Sequence, residues 1–317
     1  MLQKPERLRP GDTVGIVAPA SAPPDPRTID RSVAALEKLG FKAKLALHAR
    51  ARLGYLAGTD RERAADLMKM FTDRKVKAIV CVRGGYGTAR LLPLLDFRII
   101  QQHPKIFVGH SDITALHCAL LTQARFISFH GPMLNSGFAK DHFPQFTLQS
   151  FLRTVMEPSP AGSICQGYER RTVSVLRTGM ATGKLVGGNL SVLCTMVGTP
   201  YQPVFRGRIL FFEDVDEPPY RFDRMLTHLL NAGLLQQVAG IAVGLNERCR
   251  DLKARGAKEY RQTLEDVLKE RLLPLKVPVV TGLPFGHVSH CATLPVGART
   301  VLNANRGELI LSHPAVC

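Results

Sequence analysis

The sequence predicts an α/β protein with an N-terminal doubly wound, Rossmann-like parallel sheet and a C-terminal α/β domain. Three observations lead to this class. Strand-like and helix-like segments alternate through the first half of the chain. The strand-like segments are nearly continuous apolar runs, as expected of strands that helices cover on both faces. A segment rich in Pro, Gly and Ser, at 158–171, then interrupts the pattern and marks a boundary.

The elements of the first half follow in a regular order. An apolar strand that ends in a loop covers 13–21, and an amphipathic helix over 30–40 ends at a glycine. After a second strand, KAKLAL, a helix over 59–73 begins with Thr and Asp, which are good capping residues. The segment 76–87 is predicted as a buried strand that runs into a glycine loop. The segments TARLLPLLD, IFVGHSD and ITALHCALLTQ complete this half.

The second half of the chain is predicted to form several short strands with fewer clear crossover helices. The strands lie in GKLVGGNLSVL, GRILFFEDVD, VAGIAVG, PVVTGLPFG and GELILSHP, and long helices are predicted over 220–235 and 259–272. We therefore place an N-terminal domain at 1–157, a linker at 158–172 and a C-terminal domain at 173–317, with the active site between the two domains.

Composition excludes several classes of protein. No run of about 18 apolar residues is present, and the start lacks the apolar core of a signal peptide, so we expect a cytoplasmic protein with no membrane contact. The net charge of +16 would suit nucleic acid, but the basic residues are spread along the chain, as at 74–77 and 248–261, without interleaved aromatics. We expect no nucleic-acid partner. Seven cysteines without Cys-x-x-Cys spacing are expected to be buried thiols in a reducing compartment.

Candidate chemistry lies where strands end, because ligands of open α/β sheets bind beyond the carboxyl ends of the strands. Six such transitions are APAS, RGGYG, GHSDIT, FHGPM, FFEDVDE and PFGHVSH. The glycines of RGGYG suit either a close backbone approach to a ligand or an ordinary tight turn. Together the six contain a serine, acids and histidines, which is what a hydrolytic triad requires.

Ser111 stands where an apolar strand changes into a helical pattern. A serine on such a turn is exposed, and the amides at the helix start can stabilise an oxyanion. The stretch GHSDI, however, keeps only the first glycine of the Gly-x-Ser-x-Gly nucleophile motif. Serine and aspartate are also good helix caps. The local pattern leaves both interpretations open.

Two patterns raise the question of a metal. Acidic residues crowd after one strand, and the spacing of His287 and His290 could suit zinc. Neither pattern has a further ligand at an obvious spacing, so we expect no metal and no cofactor. Among the acids, only Glu213 directly follows the apolar strand. The others, Asp214, Asp216 and Glu217, are expected to face solvent or the amino groups of a substrate.

The ordered motifs carry a family resemblance over nearly the whole chain. They are RPGDTVGIVAPAS, YLAGTDRERAADL, VRGGYGTARLLPLLD, VGHSDITALH, HGPM, GGNLSVL, FFEDVDEPPYRFDRML and GLPFGH. In this order they resemble the LD-carboxypeptidase family of serine peptidases, which includes murein tetrapeptide carboxypeptidases and microcin C immunity peptidases. The resemblance implies a homodimeric hydrolase without a metal.

The resemblance also implies roles for individual residues. Ser111 would be the nucleophile, His287 the general base and Glu213 the carboxylate that orients it. The oxyanion hole would be the amides of Asp112 and Gly85.

Two departures from the family pattern bear on the base. His110 stands where members commonly have tyrosine, and GHVSH replaces the usual GHG, which leaves His290 as a rival to His287.

The expected reaction is release of the terminal D-Ala from murein tetrapeptide, L-Ala-γ-D-Glu-meso-diaminopimelate-D-Ala, in peptidoglycan recycling. A free substrate carboxylate favours an arginine partner. Arg83 and Arg221 are candidates, although each could equally serve an ordinary ion pair. The alternatives are an immunity-type peptidase that cleaves a peptidyl-nucleotide amide, a non-catalytic binding protein that uses the same cleft, and a nucleic-acid binder.

Overall fold

In the computed structural model, residues 2–139, 143–250 and 262–317 are described, and they form two sheets with flanking helices. The strands are β1 (Thr13–Val17), β2 (Lys42–Leu45), β3 (Val76–Cys81), β4 (Ile106–Gly109), β5 (Ser128–His130), β6 (Gly162–Ser163), β7 (Ser174–Arg177), β8 (Met180–Asn189), β9 (Ile209–Glu213), β10 (Gly240–Leu245), β11 (Val279–Gly286), β12 (Leu294–Val296), β13 (Arg299–Asn303) and β14 (Glu308–Leu311). The α-helices are α1 (Arg27–Lys38), α2 (Asp60–Thr72), α3 (Phe97–Gln102), α4 (Thr114–Ala119), α5 (Gln145–Met156), α6 (Leu190–Thr195), α7 (Pro219–Asn231) and α8 (Leu264–Leu272).

The first sheet has the strand order β12-β5-β4-β3-β1-β2, and β1 to β5 are parallel. The order reverses between β1 and β3, which is the arrangement of a doubly wound sheet. Strands β3 and β4 are almost wholly buried because helices cover both faces. The predicted fold class is confirmed.

The second sheet runs β6-β14-β13-β8-β9-β10-β11-β7, with β8 to β11 parallel and the other pairings antiparallel. All five residues of β9 are buried, down to Glu213 at its carboxyl end. This burial carries an acidic side chain into the interior between the two sheets.

The helices begin and end where local chemistry allows. The start of α2 has a capping box between Thr59 and Glu62, as the letters TDRE predict. The predicted helix over 220–235 ends earlier, at Asn231, and Leu235–Gln237 forms a separate 3-10 turn. The helix predicted over 259–272 is seen from Leu264 onward, and its residues 259–261 lie outside the described residues.

The two halves of the chain interleave more than the sequence suggests. Strand β12, from the predicted C-terminal domain, pairs antiparallel with β5 and covers the edge of the first sheet. The predicted linker 158–172 contains β6, and its Ile164 and Cys165 are buried. The domain boundaries at 157 and 173 stay a prediction.

Among the described residues, no helix is both long and apolar enough to cross a bilayer. All seven cysteines are free thiols. Five are buried, Cys194 is half-buried and Cys317 is exposed.

Candidate active site

Ser111 occupies a strained turn at the carboxyl end of β4. Its φ of 63° lies in the left-handed region, which costs a residue with a side chain about 1–2 kcal/mol. The chain then enters a short 3-10 turn, Ser111–Ile113, and continues as α4. Neither the turn nor α4 has a side-chain N-cap. Of the two interpretations left open for this serine, the helix cap is therefore not the one found.

The structure brings Ser111, His287 and Glu213 into one hydrogen-bonded chain. His287 Nε2 lies 2.9 Å from Ser111 Oγ, and His287 Nδ1 lies 2.6 Å from Glu213 Oε2. The three residues come from the ends of β4, β9 and β11, so the chain bridges both sheets. Such a chain can pass a proton from the hydroxyl to the imidazole. The catalytic roles of the three residues stay a prediction.

The carboxylate of Glu213 is fully buried, and among the described residues its Oε1 has no hydrogen-bond partner. Its charge therefore acts on His287 with little screening by solvent. Burial opposes the imidazolium form, but the hydrogen bond and charge of Glu213, with a contribution from Asp214, raise the pKa of His287 above its ordinary 6.5. The site thus favours the protonated histidine that follows proton transfer.

The expectation that Asp214 faces solvent or a substrate is wrong. Its side chain is buried and accepts hydrogen bonds from Asn189 Nδ2 and the Ser191 amide, each at 2.8 Å. Burial raises its pKa to about 6 despite these bonds. Asp214 joins the ends of β8 and β9 and so supports the strand end that carries Glu213.

The glycine loop after β3 packs against the Ser111 turn. A Cβ atom on Gly84 would lie 2.9 Å from Ser111 Cβ and 3.2 Å from the Asp112 amide nitrogen. Gly85, with a φ of 104°, instead packs against the Ser21 side chain. The Thr88 amide donates to Asp112 Oδ2 at 2.9 Å and ties the loop to the turn. The sequence analysis selected Gly85, but Gly84 is the glycine that packs against Ser111. The role of the Gly85 amide as an oxyanion donor stays a prediction.

We expect Gly84→Ala to lower kcat/KM by about 100-fold, because the added methyl would displace the Ser111 turn and occupy space beside its hydroxyl. A thermal melt and steady-state kinetics would measure the change. Gly240→Ala is the matched control. Its Cβ would also be crowded, at 3.0 Å from Leu302 Cδ2, so it should cost stability without affecting the rate. Full activity in Gly84→Ala would contradict this interpretation of the loop.

A second close approach joins the two sheets beside Ser111. A Cβ on Gly188 would lie 2.4 Å from Thr114 Oγ1, and the Asn189 amide donates to that same oxygen at 2.9 Å. The buried Arg63 also holds the glycine loop, since it donates to the Gly87 carbonyl at 3.1 Å. The sequence analysis missed Thr114, Asn189 and Arg63 as positioning residues. No local pattern marks them, because their partners are distant in sequence.

The other histidines near the site have different surroundings. His110 is buried, its Nδ1 lies 3.0 Å from the Gly131 carbonyl, and its ring meets that of His287 edge-on at 5.2 Å. His290 is exposed and packs against Phe146 and Tyr168. Of the two rivals, His287 is therefore the one that contacts Ser111.

The two candidate arginines also differ. Arg221 is exposed and pairs with Glu217 at 3.1 Å, as in an ordinary surface ion pair. Arg83 is half-buried, donates to the Ala22 carbonyl at 3.2 Å, and has no carboxylate within 4.0 Å among the described residues. Arg83 is therefore the better placed to accept a substrate carboxylate.

A small cavity of about 120 Å³ lies beside His287, between Pro132, Ser136 and Thr147. At about 30 Å³ per water molecule, it holds only a small group. No group of three or more His, Cys, Asp or Glu side chains in the described ranges could hold a metal ion.

Comparisons with known proteins identify the family of the chain. Residues 14–131 match the model of the LD-carboxypeptidase N-terminal domain, and residues 182–302 match that of the C-terminal domain. The chain belongs to the LD-carboxypeptidase family. It is thus a peptidase, a hydrolase, and the predicted family and enzyme class are confirmed.

Three relatives illustrate the range of the family. A probable murein peptide carboxypeptidase of Bacillus subtilis is 42% identical over 95% of this chain and 91% of its own length. The crystal structure of a muramoyltetrapeptide carboxypeptidase from Oxalobacter formigenes is 34% identical, with a TM-score of 0.82 over 95% of this chain and 99% of the other. The microcin C7 self-immunity protein MccF, in complex with aspartyl sulfamoyl adenosine, is 25% identical, with a TM-score of 0.88 over 99% of this chain and 100% of the other.

Proposed function

We propose that this protein is a serine carboxypeptidase that releases the terminal D-Ala from murein tetrapeptide, L-Ala-γ-D-Glu-meso-diaminopimelate-D-Ala, in peptidoglycan recycling. The observation that carries the proposal is the hydrogen-bonded chain from Ser111 through His287 to Glu213. The relatives at 42% and 34% identity, both named for murein peptides, support the substrate class. A cytoplasmic location and a homodimeric assembly belong to the same proposal.

The first half of the reaction forms an acyl-enzyme. Ser111 Oγ attacks the carbonyl carbon of diaminopimelate while His287 Nε2 takes the hydroxyl proton, and the imidazolium is stabilised by the buried Glu213. The amides of Asp112 and Gly85 stabilise the resulting oxyanion. His287 then gives its proton to the nitrogen of D-Ala as the carbon–nitrogen bond breaks.

The second half of the reaction regenerates the enzyme. A water molecule gives a proton to His287 and attacks the acyl carbon, and the Ser111 oxygen leaves with that proton. The products are the tripeptide and free D-Ala. The bond between Glu213 and His287 Nδ1 holds the imidazole in one orientation throughout both halves.

Two features suit a small terminal residue that carries a carboxylate. Arg83 lies on the loop that contacts the Ser111 turn and has no described carboxylate partner, so it can bind the substrate carboxylate. The cavity of about 120 Å³ beside His287 has room for a side chain as small as that of alanine.

Mass spectrometry of the protein incubated with the tetrapeptide would test the proposal directly. We expect loss of one alanine, and no effect of EDTA because the mechanism uses no metal. A tetrapeptide that ends in L-Ala is the matched control and should stay intact. An unchanged D-Ala tetrapeptide would overturn the substrate assignment, and loss of activity with EDTA that zinc restores would overturn the mechanism.

A peptidyl-nucleotide amide is the second candidate substrate. It is favoured by the structural likeness to MccF, whose complex holds a sulfamoyl adenosine. Hydrolysis of an aspartyl nucleotide amide with higher kcat/KM than that of the tetrapeptide would favour this alternative.

A further inference from the structure

A second cavity lies away from the triad. It has a volume of about 400 Å³ and lies toward the amino ends of β8 and β9, whereas the triad lies at the carboxyl ends of strands. Arg208 directly precedes β9 and lies five residues before Glu213, while Lys184 lies five residues before Asn189 on β8. At about 3.3 Å per residue, roughly 16 Å of strand separates this cavity from the active site.

Both halves of the chain contribute to the walls. Leu2, Leu121 and Arg125 come from the half that carries the first sheet, and Lys184, Val204 and Arg208 come from the second. Part of the wall consists of apolar side chains, and among them Val204 is 60% exposed. A concave, partly apolar site of this size is typical of small-molecule pockets.

The charges in the cavity all have one sign. Across residues 2–139, 143–250 and 262–317, no carboxylate lies within 4.0 Å of Arg125, Lys184 or Arg208, although many other basic residues of the protein are paired, such as Arg170 with Glu308. Partial burial lowers the pKa of Lys184, and the positive charges of Arg208 and Arg125 lower it further. The three cations therefore repel one another without a described counter-charge.

We propose that this cavity binds a phosphorylated small molecule, with its phosphate between Arg125, Lys184 and Arg208 and its organic part against the apolar wall. Three cations match the double negative charge of a phosphate monoester better than the single charge of a carboxylate. Because the ligand binds the folded chain and not the unfolded one, its binding also raises the free energy of unfolding. This site is separate from the peptidase reaction and does not depend on its substrate.

Calorimetric titration with phenyl phosphate tests the site, since that probe joins a phosphate to an apolar ring. We expect Arg208→Gln to raise the Kd at least about tenfold. The matched control is Arg206→Gln, which removes the same charge two residues away from an exposed side chain that does not line the cavity. It should change the Kd less than about twofold. Benzoate, the carboxylate counterpart of the probe, should bind much more weakly.

Further variants separate the site from the active centre and from misfolding. Ser111→Ala should bind phenyl phosphate like the wild type, and Lys184→Gln should weaken binding as Arg208→Gln does, while both cavity variants keep peptidase activity. Absence of wild-type binding at about 10 mM probe would overturn the proposal. Equal weakening in Arg206→Gln, or benzoate binding as tight as that of phenyl phosphate, would overturn it as well.

Discussion

Ser111→Ala is expected to lower kcat/KM by about 10⁴-fold or more, because no other group would then attack the substrate carbonyl. His287 Nε2 would lose the hydroxyl that lies 2.9 Å away, and water would have to react without covalent catalysis. Initial rates of alanine release from the tetrapeptide would measure the effect. The residual rate reports what the oxyanion donors and substrate binding contribute on their own.

The fold should survive this change. Alanine keeps the Cβ, so the left-handed turn is strained to a similar degree, and the melting temperature should stay within a few degrees. Ser174→Ala, in the exposed strand β7, is the matched control and should keep full activity. A fluorophosphonate should label Ser111 in the wild type and in Ser174→Ala. Undiminished turnover in Ser111→Ala would remove this serine from the mechanism.

Glu213→Gln should have the second-largest effect, with a loss of about 10²–10⁴-fold in kcat/KM. A neutral amide cannot stabilise the imidazolium that forms when His287 takes the serine proton. The variant should also lose about 1–3 kcal/mol of stability, since the new amide group would be buried where the described residues offer Glu213 Oε1 no partner. Asp30→Asn is the control, because the Asp30 carboxylate is exposed and pairs with Arg50 at the surface.

The pH profile distinguishes loss of charge from loss of fold. In the wild type, kcat/KM should fall as the pH drops through the raised pKa of His287, because only the neutral imidazole accepts the proton. In Glu213→Gln, burial would still lower this pKa while the main group that raises it is gone. The acid limb should therefore move to lower pH. An acid limb that stays in place would mean that Glu213 does not act on His287 through its charge.

Much of the fold could be predicted from the sequence because it depends on interactions between neighbouring residues. The apolar runs of β3 and β4 predict buried parallel strands, and Thr59 with Glu62 predicts the start of α2. The three residues that meet at the site were found by the rule that strand ends carry chemistry, together with the order of the motifs. The family resemblance then gave each residue an expected role.

Other features could not be read in this way. Asp214 and Glu213 are adjacent acids at one strand end, and only the neighbouring Asn189 and Ser191 determine that Asp214 is a buried support. The sequence does not distinguish Gly84 from Gly85, but in the structure Gly84 packs against Ser111 and Gly85 packs against Ser21. Strand β12 joins the first sheet because β5 would otherwise leave an open edge.

The sequence by itself determined the fold class and the strand ends that carry Ser111, Glu213 and His287, because hydrophobic periodicity and capping act over a few neighbouring residues. The family followed from the resemblance of its ordered motifs. Only the tertiary structure decided the left-handed turn of Ser111, the choice of His287 over His290 and the gathering of Arg125, Lys184 and Arg208 around one cavity. All three features depend on distances between residues that are far apart in the chain. Such distances are set by how the two sheets pack, which no local pattern records.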